Sequence, residues 1–177
     1  AAAGVASPEG GISMAWGGKK TADGASCWPE ISEDGRFIVF QSSATDLTPV
    51  KRNEGSFQVF VHDRLLQTTR LESVNWDGVQ ADGGAEHPSI SNDGRYVAFD
   101  STAKNLATLP PPGGQHLWDG PGPQVYVRDC WTGAMYLPSF GIDGFGDFSS
   151  EFPKLSGDGH IVTFQSNATN LEVGDGN

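Results

Sequence analysis

Cys27, in Gly24-Ala-Ser-Cys-Trp28, and His160 far downstream have the residue types of a nucleophile and its base. A cysteine attacks as its thiolate, and a nearby histidine is a common way of producing one. A second chemistry is cation binding. Gly174-Asp-Gly-Asn177 puts the oxygens of Asp175 and Asn177 on a flexible turn close in sequence to Asn170, an oxygen-rich set that suits Ca2+. A third is surface recognition. His116 and Trp118 lie in Leu109-Pro-Pro-Pro-Gly-Gly-Gln-His-Leu-Trp-Asp-Gly-Pro-Gly-Pro123, a proline-stiffened stretch that reads as a contact surface for a protein or glycan. Asn167-Ala-Thr169 is a glycosylation sequon. The two cysteines, Cys27 and Cys130, leave their pairing open.

The elements that must position these residues come from an internal repeat. Pro29, Pro88 and Pro153 each introduce nearly the same segment: P-E-I-S-E-D-G-R-F-I-V-F-Q-S-S-A-T-D-L, P-S-I-S-N-D-G-R-Y-V-A-F-D-S-T-A-K-N-L and P-K-L-S-G-D-G-H-I-V-T-F-Q-S-N-A-T-N-L. A period of about 60 residues means an array of one supersecondary unit. The repeat also removes the thiol chemistry. Ser-Cys-Trp resembles the nucleophile segment of papain-like proteases, with His160 in the spacing expected for its partner. In register, however, Cys27 stands where Glu86 and Glu151 stand, and His160 where Arg36 and Arg95 stand. These are equivalent positions in separate units, so no catalytic residue is assigned. The protease pattern also wants a cysteine at Gly24 and a helix that Pro29 interrupts. Asp46, Asn105 and Asn170 recur together, which suits turn capping as well as Ca2+. The serines recur with the repeat and none sits in a G-x-S-x-G elbow. His62, His87, His116 and His160 share no metal-ligand spacing.

Each unit reads as four short strands. The Pro-x-[Ile/Leu]-Ser segment comes first, then an Asp-Gly turn, which Gly enters at positive φ without steric cost. The second strand is Phe37–Phe40, Tyr96–Phe99 or Ile161–Phe164; the third is Gln58–Asp63 or Gln124–Asp129. β-branched and aromatic residues in such short runs suit buried strands. The fourth is less regular, around 68–74 and 134–137. The fold expected is all-β, a β-propeller built from four-stranded antiparallel blades. The repeats span about 23–81, 82–146 and 147–177, after an irregular segment 1–11. Ile12–Trp16 takes the place of an orphan fourth strand. Two blades are then complete and the third is half built, in a single incomplete propeller segment. Closing a ring takes about four to eight blades. The chain is therefore a piece of a longer protein, or joins further copies of itself by strand addition, or stands as a short open propeller with exposed edges.

The motif Pro-x-[Ile/Leu]-Ser-x-Asp-Gly-Arg, which repeat three departs from at His160, with its hydrophobic strand, the following A-[Thr/Lys]-[Asp/Asn]-L and the third-strand V-[Phe/Tyr]-V-[His/Arg]-D, resembles the TolB-type, WD40-like propeller repeats of bacteria over residues 12–177. That resemblance implies a toroidal propeller, usually exported to the periplasm or beyond. Such propellers serve as binding platforms or are fused to catalytic domains.

The formal charge of −11 repels phosphate backbones and argues against a nucleic-acid partner. No apolar run approaches ~20 residues, so no membrane-inserting helix is expected. The amino terminus has neither the basic nor the apolar region of an intact signal peptide. The expected function is a non-enzymatic, exported structural or binding module, self-assembling through its unfinished blades. The alternative is an accessory propeller of a larger hydrolase or peptidase whose catalytic domain lies outside this chain.

Overall fold

The Ser-x-Asp-Gly turn explains why each unit folds back on itself. Ser32 Oγ donates to Asp34 Oδ1 at 2.7 Å, Arg36 N–H donates to the same oxygen, and Phe37 N–H donates to Ser32 Oγ. Ser91 with Asp93, and Ser156 with Asp158, repeat this network. The residue after the glycine contributes its backbone N–H, so His160 serves as well as the two arginines do.

The computed structural model describes residues 6–7, 10–11, 13–18, 20–49, 55–106, 122–141 and 144–171. Among these, all regular structure is antiparallel β. Blade one is β3 (Ser26–Ile31), β4 (Phe37–Ser42), β5 (Gln58–Asp63) and β6 (Thr68–Leu71), in that spatial order. Blade two is β7 (Ala85–Ile90), β8 (Tyr96–Ser101), β9 (Gln124–Asp129) and β10 (Met135–Tyr136). Blade three has β13 (Ser150–Leu155) paired with β14 (Val162–Ser166). Two-residue strands form small hairpins: β1 (Ala6–Ser7) with β2 (Gly10–Gly11), and β11 (Phe140–Gly141) with β12 (Gly144–Phe145).

The boundaries differ from the sequence reading in informative ways. Each first strand starts three residues before its proline, so Cys27 lies within the strand rather than just ahead of it. The fourth strands are shorter than expected. Residues 13–22 repeat the blade-to-blade connector 73–81: Ala22 N–H donates to Ser13 O as Ala81 N–H does to Ser73 O. An isolated bridge Met14–Thr21 matches Val74–Gln80.

The core lies in and between the blades. Val39, Val59 and Val61 of blade one pack with Ile90, Val97, Phe99 and Tyr126 of blade two, while Ile38, Phe40, Leu47 and Phe60 form a second cluster. Phe40 stacks on Phe60 at 5.9 Å between ring centroids, and Phe99 on Tyr126 at the same distance. Tyr126 thus replaces a phenylalanine at an equivalent position. Its hydroxyl is buried without a hydrogen-bond partner among the described residues, and burial pushes its pKa up. A buried unsatisfied hydroxyl costs about 1–3 kcal/mol, so Tyr126→Phe should raise stability by about 1 kcal/mol in urea unfolding. A loss of stability would show that the hydroxyl is satisfied.

Candidate functional site

The side chains that could do chemistry converge on the seams between blades. The innermost strands carry the bulge that sets the seam geometry. Pairing shifts between Cys27 and Glu30, between Glu86 and Ser89, and between Glu151 and Lys154. Inside each bulge the residue before proline takes a left-handed conformation: Trp28 (φ 52°), His87 (49°) and Phe152 (55°). Bulky residues rarely adopt this, and a residue before proline ordinarily stays extended. The bulge directs its N–H at the preceding blade. His87 N–H donates to Gln41 Oε1 at 2.7 Å, and Phe152 N–H to Asp100 Oδ2 at 3.0 Å. One seam bond therefore recurs from blade to blade, with an acceptor side chain at position 41 or 100.

Further bonds reinforce it. Ile90 N–H donates to Glu30 Oε2, and Leu155 N–H to Ser89 Oγ. At the turns, Glu33 N–H donates to Asn92 O, and Asn92 N–H to Gly157 O. Lys154 Nζ reaches Glu30 Oε1 at 3.0 Å, joining the innermost strands of blades one and three. On the outer strands, Arg128 donates to Glu72 Oε2 and to Val74 O. The aromatic residues of the bulges meet as well: the Trp28 and His87 rings lie 4.9 Å apart edge-on, and those of His87 and Phe152 lie 4.2 Å apart. His87 Nδ1 sits 2.8 Å from Asp100 Oδ2, while burial raises the Asp100 carboxyl above its ordinary value.

Of the residues singled out by sequence, Cys27 lies on a first strand that carries one of these bulges. Cys27 pairs in register with Gln41, as Glu86 does with Asp100 and Glu151 with Gln165. His160 sits on the turn of blade three, so the structure gives the two separate positions in the repeat. Burial, aided by Glu86, pushes the Cys27 thiol up, the opposite of what a nucleophile needs. Cys27 should accordingly react with iodoacetamide slowly at neutral pH, at a rate that climbs without a plateau below pH 9. A plateau near pH 6 would signal an activated thiolate.

Both thiols are free. Cys130 follows β9, packs against the inter-blade core, and is pushed well up by burial. Asn170 Oδ1 accepts from Asp147 N–H and its Nδ2 donates to Phe145 O. Asp46 and Asn105 accept in the same way from Asp23 and Asp82. The recurring Asx is therefore a loop staple. Thr45 and Thr169 hold the Asp23 and Asp147 carboxylates below their ordinary value. No group of three or more His, Cys, Asp or Glu placed to hold a metal occurs among the described residues. Asn167 is exposed, its Nδ2 donating to Ser149 Oγ. Asp175, Asn177, His116 and Trp118 lie outside the described residues.

What sequence reading missed is the difference between the two outer faces. Phe37, Val39 and Gln41 of β4, and Tyr96, Ala98 and Asp100 of β8, face the following blade and are half-buried or buried. Their counterparts in blade three, Ile161, Thr163 and Gln165, are exposed, Ile161 at 63%. A hollow lined by Ser149, Glu151, Gln165, Ser166 and Asn167 opens beside them. At the other end, Pro29 and Ile31 are exposed, whereas Pro88 and Ile90 are buried under blade one. The repeat itself held this signal, because equivalent residues must change environment at the two ends of any open array.

No family model and no curated protein matches the chain. Among solved structures it is similar to the crystal structure of TolB from Acinetobacter baumannii, at 14% sequence identity and a TM-score of 0.34. The similarity covers 90% of this chain and 40% of that one, so the chain spans about two-fifths of that protein's length.

Proposed function

We propose that the chain is a non-enzymatic binding and structural module, exported from the cell, that meets its partners along its unfinished blades. Further copies of itself are the first of those partners. The observation that carries this reading is the exposure of Ile161, Thr163 and Gln165, whose counterparts in both preceding blades are covered by a neighbour. Unpaired strand edges and apolar faces of this kind recruit more chain. The candidate nucleophile supports the same reading, since Cys27 is a seam residue with a raised thiol. The resemblance of the repeats to TolB-type propellers supports export. Sedimentation from micromolar to near-millimolar protein tests the reading: the mass should rise above that of the single chain, and a single-chain mass at every concentration would sink it.

A further inference from the structure

The two outer faces of the chain are the two halves of one seam. At each internal seam an aromatic residue at the start of the second strand sits against the turn glycine of the next blade. A Cβ on Gly94 would lie 2.1 Å from the Phe37 ring, and one on Gly159 would lie 2.3 Å from the Tyr96 ring. Gly35 has the same turn conformation, φ 71° against 71° and 73°, yet a Cβ there would meet only Arg64 Nη1 and Ile31 Cδ1 of its own blade, at 3.8 and 3.9 Å. It is a socket with no occupant from a preceding blade. Ile161 is the matching projection, exposed at the other end of the chain. The seam hydrogen bonds are divided in the same way. Gln165 is the counterpart of the acceptors Gln41 and Asp100, and the Trp28 N–H is the counterpart of the donors on His87 and Phe152.

We propose that blade three of one copy packs face-on against blade one of a second copy as though it were the following blade. Ile161 then rests on the partner's Gly35, and Gln165 accepts from the N–H of the partner's Trp28. The inference rests on the self-assembly reading above and specifies its surface: blade faces, rather than a strand added to the edge of β14. The two faces differ, so one copy can offer each of them to a different neighbour through the same kind of seam. One seam bond is absent from the pattern: Lys154 stands where Glu30 and Ser89 accept from the next blade. Its ammonium reaches Glu30 of its own chain instead.

The test uses the 177-residue chain and two variants that leave the single chain's packing alone. Ile161→Asp places a charge on a side chain that is already exposed, and Gly35→Asn fills the socket with a residue that tolerates a left-handed turn. Equilibrium sedimentation of the wild type should give a mass above that of the single chain. Each variant should dissociate at least about 30-fold more readily, as loss of a central packing residue does. Far-UV circular dichroism should be unchanged. A wild type that is monomeric at every concentration overturns both the seam and the self-assembly reading. Association that both variants leave intact overturns the seam alone and moves the contact to the β14 edge.

Discussion

Alanine at Gly94 should cost the protein about 3 kcal/mol or more, whereas alanine at Gly35 should cost about 1 kcal/mol. Both glycines occupy the same turn at the same φ of 71°, so both substitutions incur the left-handed penalty of roughly 1–2 kcal/mol. They differ in what surrounds the new methyl group. At Gly94 it meets the Phe37 ring, a half-buried side chain held against the inter-blade core. At Gly35 it meets nothing closer than ordinary van der Waals contact. The difference between the two variants therefore isolates the packing of one blade on the next. Urea unfolding of the single chain, at concentrations low enough to suppress association, gives both numbers. Equal destabilisation would show that the seam yields easily and that the glycine is there for the turn alone.

Asp129→Asn should destabilise by about 2–3 kcal/mol near neutral pH, with the deficit shrinking in acid. The Asp129 carboxylate accepts two bonds from Arg95, the shorter at 2.7 Å, and two more from the N–H groups of Trp131 and Thr132. The Arg95 guanidinium is the main reason its pKa falls to about 2, with the two backbone donors adding to it. A carboxyl with a lowered folded-state value contributes stability above its unfolded value of about 3.9 and loses it as pH falls through the folded value. The wild type should thus weaken between about pH 4 and pH 2 more steeply than the variant does. Asp63, held low in the same direction by Arg36, adds to that slope in both proteins. Urea midpoints from pH 5 downward measure the gap, and a gap independent of pH would mean that the carboxylate charge plays no part.

Much of the fold was legible because the repeat constrains it three times over. Ser-x-Asp-Gly predicted a turn, and the structure shows why each of those letters is needed. The alignment that set Cys27 beside Glu86 and Glu151 is reproduced by strand pairing with Gln41, Asp100 and Gln165. The left-handed backbone of Trp28, His87 and Phe152 was not legible. Local preference keeps a residue before proline extended, and the bulge of the first strand overrides it, even at Trp28, which has no preceding blade among the described residues. The early start of the first strands went unseen for the same reason, since the bulge lets a strand run through a proline that would otherwise mark its beginning. The unmatched faces lay in the sequence as Ile161 and Gly35, but only a structure shows which equivalents are covered and which are bare.

The central claim is that the two outer faces are the complementary halves of one blade seam. Amide hydrogen exchange at two protein concentrations tests it residue by residue. The N–H groups of His87 and Phe152, bonded within the chain, should be protected at both concentrations. That of Trp28 should exchange freely in dilute solution and gain protection as copies associate. A Trp28 amide that exchanges equally fast at both concentrations, while the mass rises, would contradict the account.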